Sequence, residues 1–250
     1  MAFTPFDNAN IVRLFQFPKR QLPVLREKYC SAEPFPHIVL DDVFDEYFLE
    51  KVLEEVPTPL QTKVGQISNH LKKRQERKYA YRDWMKFGMH STYLISLLNS
   101  GEFLSLCSQI TNIPNLIADP YLAGGGFHQI LTGGKLGIHS DFNIHPQMKL
   151  DRRLNLLVYL NKDWPEEYGG HLELWDTEMK ACRRKVAPIF NRMVIFSTTD
   201  KSFHGHPDPL SCPKDRVRQS LALYYYSNGR PESEKSPSHS TLWQDRPLKD

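Results

Sequence analysis

The sequence has no long apolar run, no large excess of charge and no closely spaced cysteine pair, and each absence excludes a class of protein. Its longest apolar stretches, residues 156–160 and 221–226, fall far short of the about 18 residues that a membrane-spanning helix requires. Lysine and arginine number 32 against 29 for aspartate and glutamate, and a net charge of +3 requires neither nucleic acid nor a membrane as partner. Four cysteines without a C-x-x-C pair argue against zinc knuckles and dithiol redox motifs.

Targeting and phosphate-binding signatures are missing as well. Residues 1–5 lack a basic region followed by an apolar stretch, so the sequence shows no secretory signal and predicts a cytoplasmic protein. The glycine-rich stretches at 124–126 and 133–134 do not match the G-x-x-x-x-G-K-[ST] pattern of a phosphate loop, and we expect turns there.

The two halves of the chain show different apolar periodicities. Residues 45–56 have helical spacing with Asp45 as the expected N-cap, and a second helical region over 91–110 is expected to break at 99–101. After Pro114, short apolar runs alternate with glycine, proline and asparagine, which is typical of an antiparallel sandwich or barrel. The strand candidates are 118–130, 137–142, 153–160, 171–175, 185–188, 193–197 and 218–227.

This pattern predicts an α+β fold, a double-stranded β-helix (jelly-roll) core with N-terminal helices packed on one sheet. Residues 1–114 are expected to form the helical lead-in, 115–230 the core and 231–250 a polar tail draped over the barrel. Basic residues between 72 and 82 indicate either a solvated loop or a substrate-docking surface, and the basic, aromatic segment 57–89 is where we expect a lid.

One histidine and one aspartate lie two positions apart in a predicted strand. His139 and Asp141 therefore point to the same face, where an imidazole and a carboxylate converge. A non-haem ferrous ion is held by two histidines and one carboxylate, so a distant second histidine is required. His204 fits this role at the start of a later strand, and His206 has the same parity and is the alternative.

A buried arginine is expected near this triad. Arg218 and Ser220 open the last strand candidate and face the same way, and a guanidinium at a barrel mouth is expected to bind a carboxylate. A dicarboxylic co-substrate would supply that carboxylate. Arg216 lies two residues earlier on the same face and is the alternative clamp. Asn155 places an amide in an apolar strand, so it is expected either to contact the co-substrate or to join a core network.

Ordered motifs over residues 120–226 resemble the iron and 2-oxoglutarate dependent dioxygenases, within them the prolyl-hydroxylase-like branch. The motifs are LTGG at 131–134, HSD at 139–141, RRLNLLVYLN at 152–161, GGHLEL at 169–174, NRMVIF at 191–196, SFH at 202–204 and RQS at 218–220. PFPHIVLDD at 34–42 also looks like the lead-in strand of this branch.

The resemblance implies the residue roles. His139, Asp141 and His204 look like the Fe(II) ligands, Arg218 looks like the residue that pairs with the far carboxylate of 2-oxoglutarate, and Ser220 its hydrogen-bonding neighbour. It also implies that O2 is consumed, that succinate and CO2 are released and that an unactivated C–H bond is hydroxylated. The sequence leaves open whether ascorbate is needed and what the oligomeric state is.

The substrate is expected on the variable loops. A prolyl residue in a protein is the first expectation, and a small molecule such as an amino acid, a sugar or a natural product is the alternative. Two further readings of the same residues are a catalytically silent jelly-roll binding module and a zinc hydrolase that uses the same triad.

Overall fold

A computed structural model of the chain describes residues 8–16, 19–57, 59 and 74–247. Its helices are α1 (Asn8–Ile11), α2 (Leu22–Cys30), α3 (Glu46–Glu55), α4 (Met89–Leu98) and α5 (Gly101–Thr111). Its strands are β1 (His37–Leu40), β2 (Gln75–Tyr81), β3 (Ile117–Ala118), β4 (Gly126–Ser140), β5 (Asp151–Tyr159), β6 (Leu172–Trp175), β7 (Cys182–Val186), β8 (Met193–Ser197), β9 (His204–His206), β10 (Val217–Ser227) and β11 (Leu242–Trp243). No helix within these ranges is long and apolar enough to span a membrane.

The strands pair antiparallel in the order β1-β8-β5-β10-β4-β9-β6-β7, with β2 and β11 on β4 and β3 on β10. The long strand β4 belongs to both faces of the barrel, because its first part pairs with β10 and its last part with β9. This nearly closed antiparallel barrel with helices confirms the predicted α+β jelly-roll fold.

Helices α3 and α5 start at side-chain caps, and the helices pack on one face of the barrel. The Asp45 carboxylate accepts from the Phe48 amide, and the Ser100 hydroxyl accepts from the Phe103 amide, at the N-termini of α3 and α5. Apolar side chains of these helices share one core with the helix-facing residues of β5, β8 and β10. The Tyr225 hydroxyl also donates to the Leu98 carbonyl at the end of α4. The sequence prediction of helices on one sheet is confirmed.

Strand alternation separates the core from the cavity. On β5, Leu154, Leu156 and Val158 pack against the helices, whereas Asn155, Leu157 and Tyr159 face the interior of the barrel. On β10 the odd-numbered residues face the helices, and Arg218 and Ser220 face the interior. The two strands therefore carry core residues and cavity residues in turn.

Several strand boundaries differ from the sequence prediction, and the strand predicted at 185–188 spans residues 182–186. Residues 118–130 do not form one strand, since β3 ends at 118 and a turn leads into β4 at 126. The turn predicted at 133–134 is also wrong, because β4 continues through both glycines to residue 140. Pairing with β2 shifts register between Glu76 and Lys78, so the glycines lie in a β-bulge, with Gly133 at φ +74°. Glycine composition alone does not distinguish a bulge from a turn.

Residues 75–81 of the basic segment form a strand, β2, rather than a loop. Residues 60–73 of the predicted lid, which include Lys72 and Lys73, lie outside the described residues. At the other end of the chain, β11 of the polar tail pairs with β4 at His139 and Ser140, and the Trp243 ring centre lies 4.9 Å from that of His139. The tail therefore packs next to the predicted metal ligands.

Candidate metal centre and its cavity

Three predicted ligands meet at one end of the barrel. His139 lies near the end of β4, Asp141 directly follows that strand, and His204 opens β9 opposite His139 in the antiparallel register. One ligand atom from each residue lies within 4.8 Å of the other two. His139 Nε2 lies 3.6 Å from Oδ1 of Asp141, and His204 Nε2 lies 3.4 Å from Oδ2. Two strands and one strand end thus converge on a single point.

Backbone carbonyls fix the orientation of both imidazoles. Nδ1 of His139 lies 2.9 Å from the Gly137 oxygen, and Nδ1 of His204 lies 2.8 Å from the Ser202 oxygen. A carbonyl only accepts a hydrogen bond, so each Nδ1 carries the proton and each Nε2 lone pair faces the centre. Burial, reinforced by neighbouring His139, lowers the pKa of His204 to about 4, which leaves a neutral, ligating imidazole near pH 7.

The carboxylate of Asp141 is held ionised by its surroundings. Burial by itself raises its pKa, but the neighbouring Arg152 guanidinium and His204 outweigh that effect and hold the pKa well below the usual range. Arg152 Nη2 lies 3.0 Å and Asn155 Nδ2 lies 2.7 Å from the same oxygen, Oδ2. Arg152 also donates to the Asn155 side-chain oxygen at 2.7 Å. The three side chains form a closed network that orients the carboxylate.

Arg152 itself is held between two aromatic rings. Its guanidinium carbon lies 3.5 Å from the centre of the Tyr224 ring and 4.5 Å from that of Phe142, and the residue is 1% exposed. Cation–π contacts on both faces offset part of the cost of burying this charge. Neither the sequence spacing nor the composition indicates this arginine, although the amide of Asn155 in an apolar strand does indicate a polar network here.

This donor set fits ferrous iron. Two imidazole nitrogens and one carboxylate, without a thiolate, are the donor set of non-haem iron sites. The donors line a cavity of about 500 Å³ that they share with the start of β10. The site therefore has an open side with room for a small co-substrate.

Arg218 lies at the far end of the same cavity and is 4% exposed. Its Nε donates to the Gly170 carbonyl at 2.8 Å, and its guanidinium carbon lies 5.1 Å from the centre of the Tyr159 ring. Gly170 has φ +75°, and a Cβ there would come within 2.8 Å of Arg218 Cδ, so glycine leaves the arginine its space. Ser220, the next inward residue of β10, also lines the cavity.

The alternatives considered from the sequence occupy different places. Arg216 donates to the Lys162 and Asp163 carbonyls and does not line the cavity. His206 does line the cavity, but it is not part of the group of three close donor atoms, and neither of its ring nitrogens has a hydrogen-bond partner in the described structure.

The sequence analysis assigns no individual role at the site to three cavity residues: Lys78, Arg152 and Tyr159. Lys78 lies on β2, which the sequence does not predict as a strand, and its side chain enters the cavity beside Arg218. The Tyr159 side chain is fully buried and lies against the Arg218 guanidinium. Its place within an apolar run predicts core packing, and only the alternation of β5 shows that it faces inward.

A groove of about 560 Å³ continues from the cavity to the surface. The two spaces share Arg82, Gly124, Phe142 and Thr241, and the groove is further lined by Tyr121, Ala123, Ile144, Pro146, Gln147 and Ser240. Tyr121 is 59% exposed, so an aromatic ring is presented along the path to the centre.

Comparison with known proteins agrees with this site. Residues 125–226 match the model of the 2OG-Fe(II) oxygenase superfamily. The matched range includes all three donor residues and Arg218. Prolyl 3,4-dihydroxylase OGFOD1 of Ostreococcus tauri is 25% identical over 243 residues, covering 86% of this chain and 42% of that protein. Prolyl 3-hydroxylase OGFOD1 of Mus musculus is 31% identical over 79 residues, which cover 30% of this chain and 14% of that protein.

The chain spans less than half the length of these curated relatives. Among solved structures, a Trichoplax adhaerens prolyl hydroxylase in complex with a hypoxia inducible factor peptide fragment has the same fold, with a TM-score of 0.56 and 19% identity. The match covers 84% of this chain and 94% of that one. Together with the donor geometry, these findings show that residues 125–226 are similar to the 2OG-Fe(II) oxygenase superfamily and that the chain has the fold of prolyl hydroxylases.

Proposed function

We propose that the protein is an Fe(II)- and 2-oxoglutarate-dependent dioxygenase that hydroxylates a prolyl residue within a polypeptide. The observation that carries this proposal is one cavity with the His139, Asp141 and His204 donors at one end and the buried guanidinium of Arg218 at the other. A metal chelate and a carboxylate clamp in one cavity suit a short dicarboxylic 2-oxo acid.

The chain's own contribution is binding and positioning. His139, Asp141 and His204 would hold the iron, and Arg218 with Ser220 would hold the far carboxylate of 2-oxoglutarate. When bound, the iron supplies oxygen activation coupled to oxidative decarboxylation of 2-oxoglutarate to succinate and CO2. Asn155 and Arg152 keep the Asp141 carboxylate oriented, and burial of the site excludes water from the reaction.

A polypeptide substrate is supported by the groove. Tyr121, Phe142 and Pro146 give it an aromatic and apolar wall, a surface on which prolyl rings dock well. The groove opens to the surface at one end and meets the cavity at the other, so an extended chain can lie in it with one residue directed to the metal centre. The curated relatives are named as prolyl hydroxylases, which also favours this substrate.

The test is turnover of proline-containing peptides by the purified protein. We expect succinate release that requires both Fe(II) and 2-oxoglutarate, with one oxygen atom gained at proline by mass spectrometry. His204→Ala should abolish turnover. His171→Ala is the matched control, because that histidine contacts Glu166 and lies outside the cavity.

Other outcomes would contradict parts of the proposal. Oxidation of a small molecule and of no peptide would contradict the polypeptide substrate. Folded, iron-loaded protein that releases no succinate would indicate a binding module, and turnover with zinc in the absence of oxygen would indicate a hydrolase. The cytoplasmic location and a role for ascorbate stay predictions.

A further inference from the structure

The cavity contains more positive than negative side chains. Lys78, Arg82, Arg152 and Arg218 line it, whereas Asp141 is the one carboxylate among its described lining residues. Arg152 lies against that carboxylate at 3.0 Å, and Arg82 is exposed at the mouth. Lys78 and Arg218 thus line the cavity without a salt bridge to any carboxylate in the described part of the chain. A bound anion would remove this imbalance.

Lys78 and Arg218 lie in one row across the sheet. Lys78 on β2 is opposite Ile130 on β4, and Ile130 is opposite Arg218 on β10. Neighbouring strands are about 4.8 Å apart, so the two Cα atoms are separated by about 10 Å. Both side chains enter the same cavity and are long enough to reach one carboxylate between them.

Two further buried polar groups lie near this row. The Tyr159 side chain lies against the Arg218 guanidinium, neither ring nitrogen of His206 has a hydrogen-bond partner in the described structure, and both residues line the cavity. Their exposed fractions are 0% and 4%. Buried polar groups are rarely left without a partner, so several donors converge on a space that a ligand with oxygen acceptors would fill.

We propose that Lys78 binds the distal carboxylate of 2-oxoglutarate together with Arg218. This inference rests on the proposed function and adds a second cation to the co-substrate site, supplied by a strand that pairs on the outer edge of β4. Because Lys78 would contact only the distal carboxylate, its loss should affect only 2-oxo acids that carry a second carboxylate.

An acidic group on the substrate is the less favoured partner for Lys78. Arg82 follows Lys78 by four residues, which is two inward-facing positions further along the chain. It is Arg82 that lines both the cavity and the groove. Lys78 lies in the row of Arg218 instead, with the Ala80–His128–Ser220 row between it and the mouth. An anion that reaches Lys78 is therefore the one bound at Arg218.

The test is equilibrium binding without turnover. Lys78→Met removes the ammonium and keeps a long, flexible side chain, and Lys135→Met is the matched control, since Lys135 lies near Glu76 at 3.6 Å and outside the cavity. The dissociation constant of 2-oxoglutarate is measured anaerobically on Fe(II)-loaded protein from the visible charge-transfer band. The same titration with 2-oxobutyrate probes an acid without the distal carboxylate.

We expect Lys78→Met to weaken 2-oxoglutarate binding by about 10- to 100-fold, as for loss of one charge-assisted hydrogen bond. Its 2-oxobutyrate constant should stay at the wild-type value, and Lys135→Met should leave both constants unchanged. Equal weakening of both acids, or no change in either, would overturn the assignment. A wild-type protein that forms no band would overturn the proposed function itself, whereas a normal band with a normal constant in Lys78→Met would overturn the role of Lys78 alone.

Discussion

2-Oxoglutarate binding should weaken about tenfold between pH 7 and pH 9, because Lys78 loses its proton in this range. Burial lowers the pKa of Lys78 to about 8, an effect that Arg218 and Arg152 reinforce and that Asp141 opposes. The ammonium is then about nine-tenths protonated at pH 7 and about one-tenth at pH 9. Only the protonated form binds a carboxylate, so affinity is full below the pKa and is lost above it.

The other groups that face Lys78 do not titrate in this window. Burial holds the pKa values of His128 and His206 well below the usual range, so both rings stay neutral. The pKa of Asp141 is also held well below its usual range, so this carboxylate stays ionised. Arg152 and Arg218 remain protonated, as guanidinium groups do in proteins. The pH dependence therefore reports on Lys78.

The assay is isothermal titration calorimetry of 2-oxoglutarate into Mn(II)-loaded protein at several pH values. Manganese stands in for iron because it does not oxidise in alkaline buffer on this timescale. Wild type should lose affinity steadily above pH 8, and Lys78→Met should bind weakly with little pH dependence. A wild-type profile that is flat from pH 7 to 9, or a slope that persists in Lys78→Met, would refute the reasoning.

Three other substitutions test the support of the site and of the fold. Asn155→Ala removes a hydrogen bond to Asp141 and should weaken Fe(II) binding about 10- to 100-fold in a chelator competition assay. Gly205→Ala places a Cβ 2.6 Å from a backbone oxygen of β4, so β9 must shift. Metal binding should therefore fall, while circular dichroism still shows a folded barrel. Asn191→Ala removes the amide that bonds both backbone polar groups of Phe44, and the free energy of unfolding by urea should fall by about 2–4 kcal/mol. Wild-type values in these assays would contradict the corresponding contact.

The sequence predicts the metal donors because their geometry is local. A spacing of two on a strand places His139 and Asp141 on one face whatever the rest of the fold does. His204 comes from another strand, and its pairing opposite His139 is fixed by the barrel, so the sequence left His206 as an alternative. Arg218 and Arg216 lie two positions apart, so the sequence places both on one strand face and does not distinguish them. In the folded chain, Arg218 is buried and Arg216 donates to a backbone carbonyl.

Long-range pairing explains what the sequence did not show. Residues 75–81 are mostly half-buried and carry four charged or amide side chains, which is typical of a loop, and pairing with β4 makes them a strand. The same pairing places the register shift opposite the glycines of β4. Lys78 and Arg152 acquire their roles from neighbours that are distant in sequence, so the basic segment and the 152–161 motif that contain them do not indicate what either side chain contacts.

Alternation on β5 and β10 links the stability of the fold to the precision of the site. Leu221, Leu223 and Tyr225 pack against the helices, while Arg218 and Ser220 on the same strand face the cavity. A strand clamped on one face by a close-packed core holds the residues on its other face in fixed positions. Arg218 and Ser220 are therefore held in fixed positions, which a co-substrate bound between them and the metal donors requires.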